Sequence, residues 1–183
     1  GEYARWIDNS PEWIRQACEA SLRRLGTERI DLYYIHRIEK GRPIEETMGV
    51  LADLVREGKI GAIGISEPSA ATLERAHRVH PVSAVQSEFS LWSRDPQKDG
   101  VLETCRRLGI GFVAYSPLGR GFLTGRVGGR SELPKGDVRQ MLPRFGGELA
   151  EANRARLELL EGIAAAKGCT PGQLAIAWVM AQG

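Results

Sequence analysis

Four short stretches of this 183-residue chain set polar, reactive side chains directly behind apolar runs. "DLYYIHR" (31–37) ends in His36 and Arg37. "IGAIGIS" (60–66) ends in Ser66, with Glu67 next. "SAVQSEF" (83–89) carries Gln86, Ser87 and Glu88, and "IGFVAY" (110–115) ends in Tyr115, with Ser116 next. A histidine, an arginine, hydroxyls, an amide, carboxylates and a tyrosine are the materials of a hydrogen-bonding pocket. Any one of them is a weak signal, because a lone histidine at a strand end is more often structural. Parallel α/β folds, however, place their sites at the carboxyl ends of the strands. Four strands loaded at the same end therefore read as one site at the mouth of a sheet.

The elements that must position these groups alternate. Ser10 and Pro11 signal a helix start, an N-cap with proline at the first helical position. Ile14, Ala17, Cys18, Ser21, Leu22 and Leu25 then recur at spacings of three and four, and Gly26 stops the helix. A strand from Ile30 to His36 follows, its residues Leu32 to Ile35 apolar as in a buried strand. Pro43 opens a second helix with Ile44, Met48, Leu51 and Val55 on one face, ending at Gly58. The pattern repeats: strand Ile60–Ser66, helix Ser69–Val79, strand Ser83–Phe89, a helix over roughly Gln97–Leu108, strand Ile110–Tyr115. A Gly/Pro-rich stretch, about Ser116–Gly147, has no periodicity, as functional loops often do not. Two helices close the chain. The second opens on Thr170-Pro171-Gly172-Gln173, a capping box, and shows Leu174, Ala177 and Trp178 on one face.

Strands alternating with helices predict a parallel sheet with consecutive strands side by side. A doubly wound dinucleotide fold needs GxGxxG between a strand and a helix. The nearest match, Gly119 to Gly125, has its third glycine one residue late and no helical pattern after it, and the cluster Gly125–Gly129 has neither a strand before it nor a helix after. A (β/α)8 TIM-barrel type is favoured, here a partial barrel with about four parallel strands and flanking helices.

Composition sets the outer limits. The formal net charge is +2, with basic and acidic residues interspersed, which excludes a strong field for nucleic acid or a membrane surface. No apolar run approaches the roughly 20 residues of a membrane span. The cysteines Cys18, Cys105 and Cys169 are widely spaced, with no CxxC pair, which fits a reduced, cytoplasmic protein. His77 and His80 stand three apart on a helix, but no third metal ligand lies near them.

The segments "IDLYYIHR", "EGKIGAIGISE", "AVQSEFSLW" and "GFVAYSPLGRGFLTG" together resemble the aldo-keto reductases, in particular the bacterial group related to the potassium-channel β subunits. The resemblance runs over essentially the whole chain, in order and spacing. It implies an oxidoreductase that transfers hydride between NADP(H) and an aldehyde or ketone, the cofactor lying extended across the barrel mouth. His36 would be the active-site histidine that orients the carbonyl. Ser66 and Gln86 would hydrogen-bond the nicotinamide carboxamide. Glu67 stands where many relatives carry asparagine; it can accept from the amide but not donate. Tyr115 would stack on the nicotinamide ring, and Ser116, Pro117, Leu118, Gly119 and Gly121 would lie along the pyrophosphate.

The family's catalytic set is Asp, Tyr, Lys and His, the first three on strands that precede the histidine strand. Of that set this chain carries His36. Tyr3 lacks the family context, and Tyr33 and Tyr34 read as core aromatics. The expectation is a single aldo-keto reductase domain over residues 1–183, without the family's N-terminal strands and last strand, and inactive alone. The alternative is an NADPH-binding regulatory or sensor subunit similar to the channel β subunits. A small-molecule carbonyl is the expected partner, with homo-oligomers forming through open strand edges. Trp92 either lines a substrate pocket or covers the barrel. For Arg37, a salt bridge to a neighbouring loop is favoured over contact with an anionic substrate. The stretch from Gly125 to Phe145 either folds over the cofactor or is a surface loop.

Overall fold

The computed structural model describes residues 6–127, 129–142 and 145–182. Tyr3, and Gly128, Pro143 and Arg144 of the glycine-rich stretch, lie outside them. The chain divides into two compact units, Gly1–Ser87 with Asp95–Val113, and Glu88–Arg94 with Ala114–Gly183.

The first unit begins with α1 (Pro11–Leu25), and its ends are where the sequence puts them. The Ser10 side chain accepts a hydrogen bond from the Trp13 N–H, and Gly26 stops the helix in the left-handed region at φ 64°. Ile14, Cys18 and Leu22 are buried, while Leu25 at the end of the helix is exposed. Strand β1 (Ile30–Ile35), helix α2 (Ile44–Arg56), strand β2 (Ile60–Ser66), helix α3 (Ala70–Val79) and strand β3 (Ala84–Glu88) follow. Next come the short helix α4 (Asp95–Lys98), helix α5 (Val101–Leu108) and strand β4 (Gly111–Tyr115). The sheet order is β1-β2-β3-β4, with β1–β2 and β2–β3 paired in parallel. Consecutive strands are neighbours, as the alternation of strands and helices predicts.

The helices and one face of the strands close on a core of Ile14, Cys18, Met48, Leu51, Ile63, Ile65, Leu73 and Val85. Burying such side chains contributes about 1.5–3 kcal/mol each. Two expectations fail here. The single helix over 97–108 is two, because Gly100 at φ 81° breaks the run between α4 and α5. Strand β1 is not buried either. Only Ile35 is inside; Leu32 is exposed and Tyr33 and Tyr34 are half-buried. The reason is position: β1 is an edge strand, with β2 on one side and no strand on the other among the described residues. Local apolarity does not distinguish an edge strand from a central one.

The second unit gathers Phe122, Leu123, Leu133, Phe145, Leu157 and Ala175 into its own core. Short 3-10 turns at Gly119–Thr124, Arg130–Glu132 and Val138–Met141 replace regular structure in the glycine-rich stretch. Helix α6 (Gly147–Ala166) and helix α7 (Pro171–Met180) close it. The capping box of α7 forms: Thr170 accepts from the Gln173 N–H, and the Gln173 side chain accepts from the Thr170 N–H. The inward residue of α7 is Ala175, while Ala177 is exposed. The first turn of α7 sits on the 119–124 turn, since a Cβ on Gly172 would lie 3.6 Å from Leu118 and 3.7 Å from Thr124. Leu174 and Trp178 of the expected face are half-buried.

Candidate active site

In the first unit, His36 follows β1, Ser66 ends β2 and Gln86 lies two residues before the end of β3. Ile35 pairs with Ile65 and Ser66 with Gln86, so the three residues lie near one level of the sheet. His36 is exposed and lines, with Trp6, Trp13, Tyr34 and Arg37, an open groove of about 590 Å³. Arg37 turns toward the sheet. Its Nη1 donates to the Ser66 Oγ at 3.1 Å and to the His36 carbonyl at 2.7 Å. The expected salt bridge to a loop is thus replaced by two neutral acceptors, because the buried Ser66 hydroxyl lies within reach of the guanidinium. By accepting from Arg37, that hydroxyl keeps its own proton to give.

Glu67 follows in the left-handed region at φ 54°, a conformation that costs a non-glycine residue about 1–2 kcal/mol. Its N–H donates to the Gln86 carbonyl at 2.9 Å. The chain therefore turns sharply at the end of β2, pinned to β3. The loop after His36-Arg37 is fixed by a reciprocal pair. Asn9 N–H donates to Glu39 Oε2, and Glu39 N–H donates to Asn9 Oδ1, both at 2.8 Å. Hydrogen bonds from Arg42 and from the Asn9 backbone hold the Glu39 carboxyl below the usual carboxylate range.

The two tyrosines of β1 are not proton donors in waiting. Burial pushes the phenols of Tyr33 and Tyr34 up. Tyr33 packs against the helix-side core. Tyr34 differs from its expected role as a core aromatic: its ring rests on Gly64.

In the second unit, Tyr115 ends β4 and its carbonyl accepts from the Phe89 N–H at 3.2 Å. Ser116 is left-handed at φ 53°, the same break that follows β2. Pro117 and Leu118 lead into three successive left-handed residues: Gly119 at 57°, Arg120 at 57° and Gly121 at 93°. Gly119 N–H donates to the Ser116 carbonyl and Gly121 N–H to the Leu118 carbonyl. Leu118 near φ −93°, ψ 11°, followed by Gly119, has the alternating handedness that builds an anion-accepting concavity. The residues present thus fit a pyrophosphate along this turn. Glycine at 119 is also a packing requirement, since a Cβ there would lie 3.2 Å from the Trp92 ring.

Trp92 covers this unit's own core. It stands edge-on to Phe122 with centroids 4.1 Å apart, and it borders a cavity of about 260 Å³ with Leu91, Phe122, Leu157 and Arg156. Glu88, at the end of β3, accepts from the Ser93 hydroxyl at 2.8 Å and lies 3.6 Å from the Arg120 guanidinium. Sequence reading missed Arg120 and Arg139. The second of these donates to the Arg120 carbonyl at 3.2 Å. The left-handed Glu67 and Ser116 gave no signal either, since only glycine advertises that conformation. The helix pair His77 and His80 is absorbed locally: His77 Nδ1 accepts from the Val82 N–H. Among the described residues no three metal-ligating side chains cluster, and no helix is long and apolar enough to cross a membrane.

Comparison with known proteins identifies the family. Residues 4–183 match the Aldo/keto reductase family. The glycerol dehydrogenase AKR11B4 from Gluconobacter oxydans is 34% identical, with a TM-score of 0.89 over 96% of this chain and 54% of its own. The thermostable aldo-keto reductase Tm1743, solved with the inhibitor epalrestat, is 31% identical, with a TM-score of 0.70 over 94% of this chain and 53% of its own. The chain spans about half the length of these solved relatives.

Proposed function

The chain belongs to the aldo/keto reductase family, and from that premise we propose that it is the nicotinamide-binding portion of an NADP(H)-dependent reductase of aldehydes or ketones. The observation that carries this reading is the pair of left-handed breaks, Glu67 after β2 and Ser116 after β4. Each ends a strand abruptly and leaves hydroxyl and amide groups at its carboxyl end, where parallel α/β enzymes bind ligands.

When bound, the cofactor supplies the hydride. The chain's own residues bind and orient. Ser66 and Gln86 offer a hydroxyl proton and an amide to a carboxamide, and Glu67 accepts from its NH2. The Tyr115 ring is the stacking surface, and the turn from Ser116 through Pro117 and Leu118 to Gly121 receives the pyrophosphate. His36, exposed beside the groove, holds the carbonyl and stabilises the alkoxide that develops on it. Protonating that alkoxide calls for a donor of lowered pKa. Tyr33 and Tyr34 are shifted the other way. The reading is therefore binding without turnover for this chain by itself, within one reductase domain. It extends to self-association, since among the described residues no strand covers the outer edge of β1, where Leu32 is exposed.

An NADPH titration followed by tryptophan fluorescence, with NADPH consumption then recorded after adding an aldehyde, tests this. Saturable quenching without consumption is expected. No quenching overturns the reading, and consumption overturns the part that denies a proton donor. Sedimentation at rising concentration reports the association.

A further inference from the structure

We propose that Arg139 is a positioning residue for the cofactor's pyrophosphate, acting through the carbonyl of Arg120. This rests on the functional reading above. The segment from Leu133 to Met141 is tied to itself. Gln140 Nε2 donates to the carbonyls of Leu133 at 3.1 Å and Pro134 at 2.9 Å. Asp137 accepts from the Arg139 N–H at 2.9 Å. The Asp137 carboxylate also grips the guanidinium side-on, through Nε at 3.0 Å and Nη2 at 2.7 Å. That fork fixes the plane of the group. It leaves Nη1, which donates to the Arg120 carbonyl at 3.2 Å. The same Nη1 stands 3.3 Å from the place a Cβ on Gly121 would occupy.

Arg120 is consequently clamped at both ends. Its carbonyl is held by Arg139, and its side chain lies 3.6 Å from Glu88 at the end of β3. Arg120 is the non-glycine member of the left-handed triplet 119–121, the residue that most needs outside support to stay in that conformation. The two clamps supply it. The Gly119 and Gly121 N–H groups are held by the Ser116 and Leu118 carbonyls, and the shape these bonds give the turn proposed to receive the pyrophosphate sets cofactor affinity. The glycine-rich segment thus contains a built strap, Asp137 to Arg139, that holds the turn in shape before ligand arrives. Lysine cannot replace the fork, since it donates as a single point.

The test uses the full chain and three variants, Arg139→Ala, Arg139→Lys and Asp137→Asn, read in two ways. NADPH affinity is measured by fluorescence titration, and hydrogen exchange is measured on the segment 116–125 without ligand. Arg139→Ala is expected to weaken NADPH about tenfold and to speed exchange of the 119–123 amides, with melting temperature little changed. Arg139→Lys should recover part of the loss, and Asp137→Asn should fall between. Unchanged exchange in Arg139→Ala would overturn the strap. Parent binding with Arg139→Ala affinity within twofold would overturn this inference alone. Failure of the parent chain to bind NADPH would overturn the functional reading, and this inference with it.

Discussion

The ring of Tyr34 rests on the backbone of Gly64, its register partner across β1 and β2. A Cβ placed on Gly64 would fall 2.5 Å from the ring's Cδ1 and Cε1. The glycine is therefore a packing requirement on the face of the sheet away from the helices. Gly64→Ala is expected to destabilise the fold by about 1–3 kcal/mol, the usual cost of overpacking. Denaturant unfolding measures it. In a Tyr34→Ala background the ring is gone, and alanine suits a strand better than glycine. There the same substitution should cost under about 1 kcal/mol, and equal costs in the two backgrounds would refute the contact.

Acid sensitivity follows from Glu45. Its carboxylate takes a fork from Arg75, Nε to Oε1 at 2.7 Å and Nη2 to Oε2 at 2.6 Å, and this lowers its pKa to about 2. An unfolded glutamate titrates at roughly 4.3. The folded value is the lower one, so the contribution to stability is complete above the unfolded pKa and fades as pH falls toward 2. Both partners are exposed, and the effect is modest. NMR titration should find Glu45 still ionised at pH 3 in the parent chain. In Arg75→Ala its midpoint should return toward the ordinary value.

Thiol reactivity should divide the cysteines. Burial pushes the Cys105 thiol up to about 11 and raises Cys18 as well, while Cys169 is half-exposed. Thiolate is the reactive form. Alkylation at pH 8 followed by peptide mass mapping should label Cys169 first, with Cys18 and Cys105 reacting only as the chain unfolds. Rapid labelling of Cys105 in the folded protein would contradict its placement in the core.

Local signals were legible where one residue type dictates one geometry. Ser10, Pro11 and Gly26 bound α1, and Thr170 with Gln173 caps α7, because caps and stops are chemistry within a few residues. Polar types at strand ends marked His36, Ser66, Gln86 and Tyr115 for the same reason. What failed depends on distant neighbours. The exposure of Leu32 follows from β1 lying at an edge. Gly100 splits a helix that hydrophobic spacing alone would have continued. Glu67, Ser116 and Arg120 adopt glycine-like backbone angles that no side chain announces. Arg139 sits in a segment without periodicity, and only its spacing of two from Asp137 hinted at a fork.

The pairing of Arg37 with Ser66 gives the sharpest test of the site. The Ser66 Oγ is buried and accepts from Arg37 Nη1 at 3.1 Å. Removing the arginine strands a buried hydroxyl, whereas removing the hydroxyl leaves a half-buried guanidinium that can turn to water and still bond the His36 carbonyl. An unsatisfied buried group costs about 1–3 kcal/mol, and a lost hydrogen bond nearer 1. Arg37→Ala should therefore destabilise more than Ser66→Ala. The double variant should cost less than the two single changes together, a coupling of about 1 kcal/mol in a double-mutant cycle. NADPH affinity separates structure from function. In the proposed site the Ser66 hydroxyl gives its proton to the ligand, so Ser66→Ala should weaken binding about five- to tenfold while costing only about 1 kcal/mol of stability. Arg37→Ala should show the opposite balance, with a larger loss of stability and a smaller loss of affinity. Equal effects of both on affinity would mean that Arg37 faces the ligand as well as Ser66.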